Sequence, residues 1–469
     1  MTAVARSTAT PTTRRRDATD IALVVLVGVG ALLRVWDLGR ARLGIDESYT
    51  ALAARLPVPD LVRHIDQSDP HPPLFYLLLR PVAALTTDLG ALRLLSAVAS
   101  CAAVGVMAVW MRRRGLAGLV ATGVFALSPY QLFYGRQVRM YGLLALGGVV
   151  GAWALARWLA TSGRGWAVLG VVAGAVVAFS HGVGILFLAS MLLVPGLRRD
   201  RDAWVLRGAL AVAGGLFALL WGAHALSWRE TSGGAVSGDS LGWLSIVLNE
   251  AVAPVPDNRW IVLPLLIGGA VVILRGRGDR RVWLCLFAVP VAALYVVSLR
   301  QGVLVPKSLM PFSWGVPLAL GAAVGWLADR RAAFGWVATA GLVLIVLPYV
   351  PHSLGEDEGS GAAIDRAFAM VGPDEGIAVR SDEWQGEALA LWNGPVAGGL
   401  DLDPNGQDHG GVVLYQRAGS DSSRALFVTM RQGELPAPLE PCGPAEALGG
   451  SLTAQCVEVG AARSTSDDP

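Results

Sequence analysis

The chain has 469 residues, of which 54% are hydrophobic and only 16% are charged, and its mean hydropathy is +0.51. Soluble proteins average about 25% charged residues, so this composition excludes an ordinary soluble protein and indicates an integral membrane protein. The formal net charge is +2. The basic residues fall in short clusters between apolar segments, which favours topology signals over nucleic-acid binding.

The N-terminal region predicts a polar tail followed by a first membrane span. Residues 1–19 are rich in Thr and Arg, and we predict a disordered cytoplasmic tail. Residues 21–36 are apolar and slightly shorter than the roughly 20 residues that a bilayer requires. A signal peptide is the alternative, but many further apolar segments follow and no small-residue cleavage site closes this one.

Two adjacent carboxylates, Asp46 and Glu47, follow the first span in the sequence GIDESY (44–49). A charge inside the hydrocarbon costs at least about 2.5 kcal/mol, so the pair is expected at the interface or in a wet cavity. If the backbone is extended, the two side chains face different ways. A purely structural alternative is a helix beginning near Ser48, because acidic residues favour the first turn of a helix. The two interpretations are compatible.

Segment 71–87 decides the predicted topology. It is short and carries Arg80 and Pro81 near its middle. If it crosses the membrane, Arg112 to Arg114 lie outside, against the positive-inside rule. If it is a peripheral helix at the outer face, every basic loop lies inside, with the N-terminus inside and the C-terminus outside. Eleven membrane helices are then predicted, at 21–36, 92–110, 116–133, 140–160, 166–179, 182–195, 203–226, 260–274, 282–299, 309–327 and 334–350.

The region 351–463 is polar and lacks long apolar runs, unlike the residues before it. It alternates strand-like and helix-like pieces, which predicts a small extracytoplasmic α/β accessory domain, with 464–469 as a loose tail. The strand-like pieces are 376–380, 411–416, 425–430 and 454–460, and the helix-like pieces are 362–371 and 383–392. Cys442 and Cys456 lie here, and a disulfide between them is plausible if the region is exported.

Six motifs occur in order along residues 20–350, the predicted membrane domain. They are GIDE (44–47), SDPHPPLFYLLL (68–79), ALRLLSAV (91–98), SPYQLFYGRQVRMYGLLAL (128–146), FSHGVGILFLA (179–189) and VPKSLMPFSWGVPLAL (305–320). The series resembles the GT-C superfamily of membrane glycosyltransferases, in the protein-mannosyltransferase and aminoarabinose-transferase-like (family 39-like) branch. An actinobacterial source is expected together with this resemblance. The excess of Arg over Lys, with abundant Ala, Gly and Val, suggests a GC-rich genome.

The resemblance implies transfer of a sugar from a polyprenyl-phosphate donor at the outer face, with inversion. Asp46 matches the position of the general base that takes the acceptor proton. Glu47 is expected to orient the acceptor or to pair with a cation. Lys307, the only lysine in the chain, and Arg139 are expected to bind the donor phosphate, because a cation stabilises the charge that develops on it. The alternative for both is a cation snorkelling to the interface.

Four further residues are implied as substrate-binding: His71, Tyr141, His181 and Arg93. The structural alternatives are a loop anchor for His71, a cap for His181, and an ion pair with a loop carboxylate for Arg93. Gln137 and Val138 depart from the family pattern, which has Glu-Ala there. No metal ligand and no cofactor are predicted, although a divalent metal stays open.

The sequence therefore predicts a multi-pass cell-membrane glycosyltransferase of GT-C-like fold. Its expected partners are a polyprenyl-phosphate-linked sugar, the lipid bilayer and an extracytoplasmic acceptor, which is a cell-envelope glycan, a lipid or a protein. No nucleic acid is expected. The alternatives are an inactive scaffold of the same fold, favoured by Gln137, and a polyprenyl-lipid transporter. Outside-only clustering of polar residues, with no inverted repeat, argues against a transporter.

Overall fold

The structure of the protein is a computed structural model with a helical N-terminal part and a sheet near the C-terminus. It describes residues 11–40, 43–69, 71–196, 198–231, 240–253, 258–276, 278–300, 303–355, 370–371, 376–380, 407–408, 412–415, 424–429, 439–442, 445–449 and 452–459.

Eighteen α-helices lie within the described residues. They are α1 (Pro11–Val35), α2 (Ile45–Ala53), α3 (Val58–Ser68), α4 (Leu74–Leu85), α5 (Leu89–Met111), α6 (Gly115–Leu127), α7 (Pro129–Gly135), α8 (Tyr141–Thr161), α9 (Arg164–Ala178), α10 (Gly184–Met191), α11 (Arg201–Thr231), α12 (Ser240–Glu250), α13 (Arg259–Arg275), α14 (Arg280–Trp283), α15 (Val289–Ser298), α16 (Gly315–Arg330), α17 (Ala332–Val346) and α18 (Val350–Gly355). A π-helical segment (Leu284–Ala288) joins α14 to α15, and 3-10 segments occupy Pro306–Phe312 and Leu347–Tyr349.

Six of the described helical stretches are long and apolar enough to cross a membrane, and the number rises to eight if each of two bent helix pairs is one span. The bent pairs are α6 with α7, at 47°, and Pro306–Phe312 with α16, at 68°. The protein is therefore a membrane protein, while the predicted total of eleven spans is not confirmed. Helix α4 has 12 residues, which is short for a bilayer crossing. The peripheral position of 71–87 stays a prediction.

The N-terminus differs from the predicted disorder. Helix α1 begins at Pro11, so residues 11–19 are helical, and residues 1–10 lie outside the described residues. Proline is favoured in the first turn of a helix because its missing N–H has no partner there. The Arg-rich stretch that follows then extends the first apolar helix toward its N-terminus.

The chain divides into two compact units. The helical unit contains Met1–Trp36, Val62–Phe75 and Leu94–Leu354, and the sheet unit contains Asp37–Leu61, Tyr76–Arg93 and Gly355–Pro469. In the helical unit, small residues allow helix backbones to approach closely. A Cβ atom on Gly269 of α13 would lie 1.8 Å from the Ala319 carbonyl oxygen, and one on Gly321 of α16 would lie 2.4 Å from that of Ala117. Glycine is therefore required at both contacts.

The sheet unit contains seven described strands: β1 (Gly376–Arg380), β2 (Gln407–Asp408), β3 (Val412–Tyr415), β4 (Arg424–Thr429), β5 (Leu439–Pro441), β6 (Glu446–Gly449) and β7 (Leu452–Val459). The order is β2-β3-β1-β4-β7-β5, with β6 also paired to β7. Only β1 and β4 are parallel among the pairs described.

All four predicted strand-like pieces of the C-terminal region coincide with strands: β1, β3, β4 and β7. The predicted helix-like pieces lie outside the described residues, apart from residues 370 and 371, so the α/β character is not confirmed. Cys442 and Cys456 form a disulfide with their Cα atoms 5.3 Å apart. The cysteine pairing expected from the sequence is therefore present.

Candidate functional site

The two loop carboxylates lie in the sheet unit, in the first turn of a helix. Helix α2 begins at Ile45, three residues before the expected start, and Ser48 N donates to Gly44 O at 2.8 Å. The backbone at 46–47 is therefore helical, and the prediction of an extended backbone there is wrong. Acidic side chains in the first turn are stabilised by the helix dipole. Asp46 is half-buried.

Glu47 forms a buried ion pair with Arg93. The Nε and Nη2 atoms of Arg93 donate to Oε1 and Oε2 of Glu47 at 2.9 and 2.8 Å, and the two side chains are 6% and 3% exposed. Gly44 N also donates to Glu47 Oε2, at 3.1 Å, and Arg93 Nη1 donates to Leu38 O at 2.8 Å. This is the pairing of Arg93 with a loop carboxylate that the sequence allowed. The pair ties the start of α2 to α5 and to the end of the preceding turn.

A second group of polar side chains lies in the helical unit, around Asp69. Asp69 Oδ2 is 3.5 Å from Arg139 Nη1, with both side chains buried, and its Oδ1 accepts from His71 N at 2.8 Å. Sequence reasoning did not name Asp69 as a site residue. The available signal was its place in the same DPHPP motif as His71, where three prolines restrict the backbone.

His71 and His181 stack against each other in this unit. Their ring centroids are 4.0 Å apart, with 31° between the ring planes. Val183 N donates to His181 Nδ1 at 3.2 Å, which places the proton of the neutral ring on Nε2. Within the described residues, His181 Nε2 has no hydrogen-bond partner. Burial, and then the nearby positive charges of His71, Arg139 and Lys307, hold the pKa of His181 well below its usual value.

An aromatic row leads from this histidine pair toward Lys307. The Tyr141 ring is 6.3 Å from that of His181, and Tyr134 is 5.1 Å from both Tyr141 and Tyr130. Tyr130 Oη donates to Pro306 O at 2.8 Å, directly beside Lys307. Lys307 itself is half-buried, at the start of the 3-10 segment that precedes α16.

The helical unit therefore brings five predicted site residues into one neighbourhood together with Asp69: Lys307, Arg139, His71, Tyr141 and His181. The other three predicted residues, Asp46, Glu47 and Arg93, belong to the sheet unit. Gln137 is buried. No three His, Cys, Asp or Glu side chains converge as a metal site in the parts of the chain that the structure describes. Among the described residues, this neighbourhood therefore contains the cations Arg139 and Lys307, the carboxylate of Asp69 and an N–H of His181.

Comparison with known proteins gives structural matches only. No protein-family model matches the chain, and no curated protein matches it significantly. ArnT from Cupriavidus metallidurans, in a crystal structure bound to undecaprenyl phosphate, is 16% identical with a TM-score of 0.50 over 74% of this chain and 68% of that chain. The apo oligosaccharyltransferase of Archaeoglobus fulgidus is 12% identical with a TM-score of 0.48, over 76% of this chain and 58% of that chain.

The similarity to ArnT concerns the fold. It shows a fold shared with ArnT over 74% of the chain, while the GT-C superfamily, the branch and the source organism stay predictions. The chain spans little more than half the length of the archaeal oligosaccharyltransferase, and that similarity is below the level at which a shared fold is inferred.

Proposed function

We propose that the protein is an inverting glycosyltransferase that moves a sugar from a polyprenyl-phosphate donor to an acceptor hydroxyl at the extracytoplasmic face of the membrane. The observation that carries the proposal is the cationic neighbourhood of the helical unit. Arg139 is buried and Lys307 is half-buried, and both act electrostatically on the His181 ring. Two cations beside one buried ring favour an anionic ligand such as a phosphate.

The similarity to ArnT supports the choice of ligand. That protein was crystallised with undecaprenyl phosphate, and a lipid phosphate suits a binding site within a membrane protein. The donor sugar is not specified by this reasoning. The acceptor is likewise left as a glycan, lipid or protein hydroxyl.

The proposed reaction is a single displacement at the anomeric carbon. The acceptor oxygen forms a bond to C1 as Asp46 takes the hydroxyl proton. The bond between C1 and the phosphate oxygen breaks, and its electron pair leaves with the polyprenyl phosphate. Lys307 and Arg139 stabilise the negative charge that develops on this leaving group. Attack opposite the leaving group inverts C1.

The remaining predicted residues receive supporting roles. Both Glu47 oxygens accept hydrogen bonds from Arg93, so we assign this pair to fixing the turn that carries Asp46 instead of to direct contact with substrate. His181 offers an Nε2–H to a phosphate or sugar oxygen. His71 orders the His181 ring by stacking, and Tyr141 supplies a buried aromatic surface beside them.

The test separates chemistry from donor binding. Transfer is measured in membranes supplied in turn with polyprenyl-phosphate-linked labelled mannose, glucose and arabinose, and binding is measured with undecaprenyl phosphate and purified protein. Asp46→Asn should lower transfer by about 100-fold or more, as expected for loss of a general base, and should leave binding unchanged. Lys307→Met should weaken binding by about tenfold or more, because a hydrogen bond to a charged group is lost.

Asp66→Asn is the matched control, since Asp66 is exposed on α3, and it should behave as the wild type in both assays. Undiminished transfer by Asp46→Asn would remove the proposed base. Wild-type protein that binds undecaprenyl phosphate but transfers none of the sugars would favour the inactive scaffold that Gln137 suggests. Movement of the intact labelled donor across a vesicle membrane, with no product formed, would favour the transporter.

A further inference from the structure

Arg34 is a fully buried arginine of the helical unit, on the last turn of α1. Its Nε donates to Ser100 Oγ at 2.7 Å, and its Nη1 donates to Gly30 O at 2.9 Å and to Ala126 O at 2.7 Å. Its Nη2 donates to Phe125 O at 3.2 Å. All of these partners are uncharged oxygens, so no carboxylate among the described contacts explains why a charge is buried here.

The Phe125 and Ala126 carbonyls that Arg34 contacts lie in the last turn of α6. In a continuous helix, Phe125 O would accept from the N–H of residue 129, four positions later. Residue 129 is proline, which has no N–H, and the chain turns by 47° between α6 and α7 at this point. Arg34 therefore supplies a donor to a carbonyl that the proline leaves without its helical partner.

The helix terminus also accounts for the charge. The last carbonyls of a helix carry a partial negative charge, and a cation near them is stabilised. Gly30 lets the two helices meet closely enough, since a Cβ atom there would lie 3.0 Å from the Cβ of Ala126. Arg34 is thus a side-chain cap of α6 delivered from α1.

The same arginine is connected to the far end of α7. Ser100 Oγ, which accepts from Arg34, lies so close to Gly135 that a Cβ atom on that glycine would be 2.3 Å away. Helix α7 carries Tyr130 and Tyr134 and leads directly to Arg139 and Tyr141. Arg34 therefore binds the carbonyls of α6 that come just before α7, and also the Ser100 hydroxyl that packs against Gly135 at the end of α7.

We infer that Arg34 is a positioning residue of the proposed site: it caps α6, fixes the bend at Pro129, and so sets where α7 places the aromatic row and Arg139. The predicted effect on catalysis rests on the proposed function. The predicted effect on the position of α7 is independent of it. Arg34 touches neither the reacting atoms nor Lys307 among its described contacts.

The experiment compares Arg34→Met and Arg34→Lys with Leu155→Ala, a core truncation at a fully buried position of α8. Hydrogen exchange of the α7 amides, undecaprenyl-phosphate binding, and the kcat and KM of transfer are measured on each purified full-length protein. Arg34→Met should speed α7 exchange by about tenfold and lower kcat by about 100-fold through misplacement of the site. Arg34→Lys, which keeps the charge, should recover part of both, and Leu155→Ala should alter neither.

A second variant keeps the inference testable if Arg34→Met folds poorly. Pro129→Ala restores an N–H that is able to reach Phe125 O in a straightened helix. Arg34→Met with Pro129→Ala should therefore regain thermal stability but not transfer, because α7 is then held at the wrong angle. Recovery of transfer together with stability would show that Arg34 is only structural and would overturn the inference, as would unchanged α7 exchange in Arg34→Met. Failure of the proposed function would instead appear as wild-type protein without transfer, whatever α7 does.

Discussion

At the scale of single residues, the structure pairs charges that are far apart in the sequence. Glu47 and Arg93 are 46 positions apart, and Asp69 and Arg139 are 70 positions apart. In each pair both side chains are almost completely buried. A buried charge must be compensated by an opposite charge or by hydrogen bonds, and here each charge has both. These pairs therefore fix the loops that carry the proposed site residues.

The Glu47–Arg93 pair gives a stability prediction. Arg93→Met leaves the Glu47 carboxylate buried beside Gly44 N with its cation gone, and removal of one partner of a buried pair costs about 3–5 kcal/mol. Glu47→Leu, which leaves Arg93 without its carboxylate, should cost a comparable amount. The combined change, Glu47→Leu with Arg93→Met, should cost less than the two single changes added together, because no unpaired charge remains. Denaturant unfolding of the purified protein in detergent measures all three.

The exposed ion pair between Arg40 and Asp37 is the natural control for this cycle. Its closest N–O distance is 3.8 Å and both side chains are largely exposed, so Arg40→Met should change the unfolding free energy by less than about 1 kcal/mol. Additive losses for Glu47 and Arg93 would show that the two side chains do not act as a pair.

At the scale of elements, breaks in helices place the functional side chains. The bend between α6 and α7 follows from Pro129, and the bend before α16 follows Pro311, which lies in the 3-10 segment containing Lys307. His181 lies in the turn between α9 and α10. Each break interrupts an apolar stretch, and the polar residues sit where backbone groups are already turned away from a regular helix.

The disulfide of the sheet unit gives a prediction at the same scale. Cys442 follows β5, Cys456 lies in β7, and the bond closes a loop with a sequence separation of 14. Replacement of both by Ser should destabilise the sheet by about 3 kcal/mol, the value for a loop of this length. Faster hydrogen exchange in β5 and β7 is the measurement, and it should be reproduced by reduction of the wild type.

The two free cysteines provide the control. Cys101 and Cys285 lie in the helical unit and form no disulfide, so Cys101→Ser and Cys285→Ser should leave exchange in the sheet unchanged. An unaltered exchange pattern after loss of Cys442 and Cys456 would mean that strand pairing alone holds this edge of the sheet.

At the scale of the whole molecule, stability should depend on pH through buried histidines. Burial lowers the pKa of His64 from its ordinary 6.5 to about 4, against the opposing effect of Asp69, and the pKa of His181 is lowered as well. Well above pH 6.5 both rings are neutral in the folded and unfolded states, so they contribute no pH dependence there. As the pH falls from 6.5 toward 4, the unfolded state binds protons that the folded state does not, and stability falls.

Thermal unfolding across this pH range is the measurement. His64→Phe should reduce the loss between pH 6.5 and 4, because only His181 of the two rings still gains a proton on unfolding. His64 is suited to this test since it lies on α3 and has no role in the proposed reaction. An identical pH profile for His64→Phe and the wild type would show that other groups govern the acid limb.

The sequence by itself determined the features that depend on overall composition or on residues close together in the chain. Apolar composition established a membrane protein, four strand-like pieces located β1, β3, β4 and β7, and two cysteines in one polar region located the disulfide. The motif series predicted the GT-C-like fold. Local patterns succeed here because helix, strand and turn preferences act over a few neighbouring residues.

Only the tertiary structure decided which side chains meet. The partner of Glu47, the pairing of Asp69 with Arg139, and the cap that Arg34 provides to α6 join positions separated by 46, 70 and 92 residues. No periodicity encodes such contacts, because they follow from how helices pack and bend. The physical reason is the cost of burying a charge in the membrane or in the protein core. Such a charge needs a hydrogen-bonding or oppositely charged group, and the packing of the helices determines which group lies close enough.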